Sequence, residues 1–260
     1  MVTSDRAAGA GGRGRDEAGT PAPYDSRGLV AAFTGASLDL VKIVAATAMV
    51  AAHVNEALLH NAWRPLWQFG RLAFPLFSFA VAINLLRGAK TPAYLQMFLL
   101  LGALAQPFYA AAFVTDQADT LFTLAVGVAV GVFLRSSGLA VQHLVFASGA
   151  AALFTPWIPA QAGVDGGVAG MLFPAAVLLV LAGERTHIPW LLLLFVGLNI
   201  SPEMTPSRTV LTSLSAAILC LLVLLAAAAF RRRTRILPRY ALQAFYPAHL
   251  LVLTLARAFG

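Results

Sequence analysis

The chain has 260 residues, of which 59% are hydrophobic and only 11% charged, with a mean hydropathy of +0.78. A soluble domain carries about 25% charged residues, so a water-soluble globule is excluded and an integral membrane protein is indicated. The net charge of +7 comes from no basic stripe interleaved with exposed aromatics, so nucleic acid is not an expected partner; the basic residues read as topology signals and lipid as the surroundings.

Residues 1–35 are rich in Gly, Ala, Arg and Pro and lack an apolar core of the kind a signal peptide needs. They read as a disordered cytoplasmic tail, followed by one membrane-embedded domain over 36–260. Crossing a bilayer takes about 20 apolar residues. On that template spans are expected near 38–59, 67–86, 92–113, 119–134, 139–157, 168–183, 187–200, 209–230 and 240–257. The sixth and seventh are short and carry Pro174 and Pro189, and a re-entrant pair there would reduce the count. The expected fold is therefore an all-α polytopic transmembrane bundle of about nine spans, eight to ten at the limits.

Lys and Arg accumulate on the cytoplasmic side of membrane proteins. With the N-terminus inside, that side holds Arg6, Arg13, Arg15, Arg27, Arg87, Lys90, Arg135, Arg185, Arg231, Arg232, Arg233, Arg235 and Arg239, and the other only Arg64, Arg208 and Arg257. This asymmetry favours a cytoplasmic N-terminus and leaves Lys42 and Arg71 within the membrane region.

Ionisable groups inside a span cost roughly 2.5–3.5 kcal/mol on insertion scales, so they face a partner or a cavity. In the first span Asp39, Lys42, His53 and Glu56 fall within an arc of roughly 100°. Asp39 and Lys42 have the spacing of a simple interfacial ion pair. His53 is either a hydrogen-bonded core histidine or a catalytic base oriented by Glu56, one turn on. Arg71, after Trp63 and Trp67, is either a snorkelling arginine or a fixed cation for an anion or oxyanion. Pro75 would expose backbone polar groups beside it. Gln106-Pro107, Asp119-Thr120, Asp165-Gly166-Gly167 and Phe245-Tyr246-Pro247-Ala248-His249 place further polar groups at span ends or inside spans, with His249 at mid-span. His60, His143 and His187 lie at loop edges and are expected to be solvated. Cys220 is the one cysteine, so neither an intrachain disulfide nor a cysteine metal cluster is expected. No internal repeat, phosphate-binding glycine loop, His-Glu-x-x-His or nucleophile elbow is present.

Several blocks resemble the TraX-type family of membrane pilin acetylases, relatives of the broader membrane-bound acyltransferases. They are Leu38-Asp39-Leu40-Val41-Lys42 through Met49 to His53, Gly70-Arg71-Leu72-Ala73-Phe74-Pro75-Leu76-Phe77, Ala105-Gln106-Pro107-Phe108, Asp119-Thr120-Leu121-Phe122-Thr123 with Gly127, the Asp165 to Gly170 cluster, and Tyr246-Pro247-Ala248-His249-Leu250. The chain has Ala52 where the family pattern has an Asp before the histidine, Asp119 where it has Asn, and Ala105 where it has Ser.

The resemblance implies a bacterial inner-membrane, multi-pass enzyme that moves an acetyl group from acetyl-CoA, its co-substrate, to the N-terminal amine of a pilin or other membrane-associated peptide. No metal is expected. His53, Glu56, Arg71 and His249 are then the candidate catalytic residues, and Asp39, Lys42, Gln106, Asp119, Asp165 and Tyr246 the candidate substrate-binding ones. Arg231, Arg232, Arg233 and Arg235 would hold the coenzyme phosphates, although an ordinary positive-inside loop accounts for the same residues. An O-acetyltransferase of a glycan or lipid head group, or a small-solute transporter using the same buried polar residues, stays open as an alternative. With His53 in the outer half of its span, the donor would have to reach it through a polar channel, expected to pass Met49 and Leu72.

Overall fold

A computed structural model describes residues 26–153, 166–200, 204–230, 234–238 and 240–259. The described residues form eleven α-helices: α1 (Ser26–Ala32), α2 (Ala36–Ala57), α3 (Arg64–Gly70), α4 (Ala73–Leu86), α5 (Thr91–Phe113), α6 (Thr120–Arg135), α7 (Leu139–Leu153), α8 (Gly167–Leu181), α9 (Ile188–Gly197), α10 (Pro206–Ala229) and α11 (Ala241–Phe259). A 3-10 turn, Arg185–His187, links α8 to α9. The protein is an all-helical membrane bundle. Four helical stretches are long and apolar enough to cross a bilayer: α2, α3 with α4, α5 and α10. The shorter apolar helices α6, α7 and α8 have 15 or 16 residues, about 23 Å at 1.5 Å per residue, against a hydrocarbon core of about 30 Å.

Burial follows composition. Gly167–Leu181 is apolar on every side and forms the central helix α8, packed against α4, α6, α7 and α9; a helix hydrophobic all round is a buried one. Close approach of α6 depends on its glycines. A Cβ at Gly127 would lie 2.6–2.9 Å from the Pro174 ring, and one at Gly131 would lie 3.0 Å from the Ala175 Cα, the small-residue packing that membrane helices use in place of hydrophobic collapse. At the periphery, α10 leaves Leu211, Leu214, Ile218, Leu221, Leu222 and Leu225 exposed. An apolar stripe of that length suits a lipid environment and not water.

The second expected span is two helices. Arg71 and Leu72 form a turn in which Arg71 N–H donates to Gln68 O and Leu72 N–H to Phe69 O. Pro75, in the first turn of α4, has no N–H to return to the Arg71 carbonyl, so the chain breaks one turn before the proline. A second departure is α1. Its seven residues fall inside the segment expected to be disordered, because Leu29 and Val30 pack on the core and the following Phe33 is fully buried. Met49 and Leu72, expected beside a polar channel, are both packed in the core.

Candidate active site

Helix α2 supplies His53 and helix α11 supplies His249. Both are buried, and they meet across 196 positions of sequence, His53 Nδ1 lying 2.9 Å from His249 Nε2 with the rings nearly parallel at 11°. His249 Nδ1 lies 3.3 Å from the Phe245 carbonyl oxygen. A carbonyl only accepts, so the chain of contacts assigns the protons. His249 Nδ1–H donates to Phe245 O, His249 Nε2 accepts from His53 Nδ1–H, and His53 Nε2 keeps its lone pair. The arrangement leaves His53 Nε2 as an acceptor on a ring oriented by a second neutral imidazole.

Aromatic rings wall this pair. Phe113 of α5 stands edge-on to His53 at 4.9 Å, Tyr109 lies against Phe113, Phe245 stacks on His249 at 5.2 Å, and Tyr246 meets His249 edge-on at 5.4 Å. The α5–α11 contact that carries them is held by Thr254 Oγ1 donating to Phe108 O at 3.0 Å and by Arg257 donating to Ala112 O. Glu56, expected to orient His53, is exposed at the end of α2, and His53 Nδ1 engages His249.

Arg71 stands beside this region through a very close helix crossing. A Cβ on Gly70 would lie 2.5 Å from the Ala52 Cβ, so α3 rests directly on the residue preceding His53. The Arg71 guanidinium covers the Trp67 ring at 4.2 Å and donates to Leu198 O at 3.4 Å. It is half-buried and tied to α9.

Gln106 and Asp119 come together, in a structural role. Gln106 Oε1 accepts from Asp119 N–H at 2.9 Å while its Nε2 donates to Gln117 O at 2.7 Å. Asp119 is the N-cap of α6, with Oδ1 accepting from Leu121 N–H at 2.9 Å, so it satisfies donors that every helix start leaves open. Asn55, singled out by nothing in the sequence pattern, similarly accepts from Trp63 N–H at 3.0 Å.

Asp39 and Lys42 lie at the opposite end of α2 from His53. Asp39 is buried, and its Oδ2 accepts from the backbone N–H groups of Ile236 and Leu237 at 2.9 and 3.1 Å while Oδ1 faces Lys42 at 3.7 Å. The pairing read from the sequence is present, but the same carboxylate also anchors the segment between α10 and α11. Arg235 belongs to that segment. Arg231, Arg232, Arg233, Arg239 and Asp165 lie outside the described residues.

The expected solvation of the loop-edge histidines fails for two of the three. His187 is fully buried, its Nε2 donating to Gln142 Oε1 at 2.7 Å and 3.3 Å from a Glu184 carboxylate oxygen. Burial lowers its basicity below the ordinary imidazole value, against the opposing pull of Glu184. His143 is half-buried and accepts from Trp190 Nε1 at 2.9 Å; of the three loop-edge histidines only His60 is exposed. Gln142 and Trp190 supply a polar lining that position in the chain does not reveal.

Compared with known proteins, residues 37–257 match the family described as "TraX protein". The chain is also 32% identical over 135 residues to the "Probable fimbrial assembly protein FimC, serogroup H1" of Dichelobacter nodosus. That similarity covers 45% of this chain and 55% of the relative, so the chain spans about half the length of the curated protein it matches. No solved structure matches it.

Proposed function

The chain belongs to the TraX family, and from that premise we propose that it is an integral-membrane acyltransferase that moves an acetyl group from acetyl-CoA to the N-terminal amine of a pilin or other membrane-associated peptide. The fimbrial-assembly relative supports a pilus-related acceptor. On this reading the chain is a multi-pass protein of the bacterial inner membrane with a cytoplasmic N-terminus, and convergence of Lys42, Arg87, Arg135 and Arg235 at one end of the bundle accords with that orientation.

The observation that carries the reading is the tautomer chain from Phe245 O through His249 to His53. The acceptor amine attacks the thioester carbonyl, the C–N bond forms, and the amine proton passes to His53 Nε2. Collapse of the tetrahedral intermediate breaks the C–S bond, and the imidazolium returns its proton to the departing thiolate. His249 accepts a hydrogen bond from His53 throughout and stabilises the cation formed there, the orienting role that a carboxylate plays in a catalytic triad. General-base assistance of this kind contributes about 10²- to 10⁴-fold. Arg71 or Tyr246 would then stabilise the oxyanion.

The test is intact-mass analysis of membrane peptides from cells producing the native chain, His53→Ala or His249→Ala, with all three proteins quantified in the membrane. The expected result is one acetyl group on an acceptor in native cells only. Equal acetylation in the three strains would remove the histidine pair from the chemistry, and no acetylated peptide in any of them would refute the acyltransferase reading.

A further inference from the structure

At the end of α2 away from His53, a cleft of about 740 Å³ opens between α1, α2, the end of α4 and the segment before α11. That volume falls within the ~300–1,000 Å³ of small-ligand sites. Its polar lining is Thr34, Asp39, Lys42, Asn84, Arg87 and Arg235. A second cleft of about 310 Å³ shares Arg87 and adds Arg135.

The charges do not cancel. Asp39 is the sole carboxylate among the lining residues, and its two oxygens are already committed to two backbone N–H groups and Lys42. The guanidiniums of Arg87 and Arg235 therefore supply net positive charge. Arg87 is held in place by Nη1 donating to the Phe33 carbonyl at 3.4 Å, and Arg235 is placed by the neighbouring Ile236 and Leu237 amides on Asp39. Two guanidiniums and an ammonium around one concavity favour an anion with several oxygens, and planar donor forks suit phosphate in particular.

Helix α2 connects this cleft to the histidine pair. Lys42 and His53 are eleven residues apart on one uninterrupted helix, about 16 Å at 1.5 Å per residue. We infer that the cleft is the docking site for the phosphorylated nucleotide end of the acyl donor; Met49, packed between Lys42 and His53 on the same face of α2, has to move aside for a pantetheine arm to reach the histidine pair. The inference rests on the acyltransferase reading and deepens it, since it assigns the donor's two ends to the two ends of one helix. Asp39 is the positioning residue: its backbone contacts fix where Arg235 sits.

The test uses the full chain in detergent and equilibrium binding of two probes, coenzyme A and adenosine 3′,5′-bisphosphate, which carries phosphates but no pantetheine arm. Both are expected to bind. Arg87→Gln and Arg235→Gln each weaken both probes about tenfold or more, raised salt weakens them further, and Arg208→Gln, at an exposed position outside the cleft, leaves them unchanged. His53→Ala leaves bisphosphate binding intact while acetylation is lost. Coenzyme A that binds with undiminished affinity to both arginine variants would overturn the site and leave the acyltransferase reading standing. Coenzyme A that does not bind the native chain would overturn both. Phosphates of lipid head groups share the same chemistry, so the same variants are compared in nanodiscs with and without phosphatidylglycerol. An arginine-dependent lipid interaction without nucleotide binding would reassign the cleft and overturn the proposal.

Discussion

The crossing of α2 and α3 at Ala52 and Gly70 can be tested by a size exchange. A methyl group at position 70 would lie 2.5 Å from the Ala52 Cβ, whereas carbon atoms in contact sit about 3.5–4.0 Å apart, so Gly70→Ala forces the helices apart by about 1 Å. Overpacking of this kind costs about 1–3 kcal/mol; the helical preference of Ala over Gly, up to about 1 kcal/mol in a helix interior, returns little at Gly70, the last residue of α3, so the net loss stays near about 1–3 kcal/mol. Removing the opposing methyl should restore the fit, because the next atoms a Cβ at position 70 would meet are the Ala52 Cα at 3.1 Å and the Ala48 carbonyl oxygen at 3.5 Å. Ala52→Gly alone costs about 0.5–1 kcal/mol through backbone entropy. The double variant should therefore lie within about 1 kcal/mol of the native protein and above Gly70→Ala. Thermal unfolding of the four proteins in one detergent measures this, with Gly138→Ala, where a Cβ meets nothing within 4 Å, as the control. Position 52 adjoins His53, so Gly70→Ala should also lower acetylation, by up to about 10²-fold for a 1 Å misplacement. If Gly70→Ala melts with the control, or the double variant is no better than Gly70→Ala, the close crossing is wrong.

Asp119→Ala removes the α6 cap and should cost about 1 kcal/mol, read as a lower melting temperature with the membrane-inserted fraction unchanged; no shift would mean that α6 starts without it. Asp39→Ala removes the acceptor of the Ile236 and Leu237 amides at about 0.5–1.5 kcal/mol each, because the segment is largely exposed and water can replace the carboxylate; faster proteolysis or hydrogen exchange confined to 234–238 is the expected sign, and unchanged exchange there would contradict the anchor. His187 is held neutral by burial, so its unfolded form binds a proton more readily than its folded form. Stability should be fully present above the ordinary imidazole value of about 6.5 and fall as pH drops below it. Glu184 and His143 face the same ring, so His187→Gln is compared with native protein between pH 7.5 and 5. Parallel losses in the two would show that His187 does not carry the effect.

Much of the helix layout could be read from the chain, since apolar runs punctuated by Pro, Gly and charge determine where membrane helices start and stop. The resemblance to TraX was likewise carried by blocks inside the matched residues 37–257. Contacts between distant segments were not legible. Periodicity offers His53 only neighbours on its own helix, which is why Glu56 was the expected partner and His249, 196 positions away, was not. Asp119 followed by an apolar run carries a cap signature, and it does cap α6. The burial of His187 depends on Gln142 arriving from α7, a contact that no local pattern specifies. The α3–α4 break needed the proline rule applied one turn upstream.

Helices α2 and α11 are joined at two places, the Asp39 contacts to the chain just before α11 and the His53–His249 contact within it. Two pins along one pair of rods prevent sliding. A piston stroke of one helical turn, about 5.4 Å, would have to break both at once, including two hydrogen bonds to a buried carboxylate. Relative movement of the two helices is therefore limited to swinging, and the length between the cleft and the histidines stays constant. Helix α2 then works as a fixed ruler, so on the proposed chemistry the reach of the donor, not a shift of the protein, would determine which thioester arrives at His53.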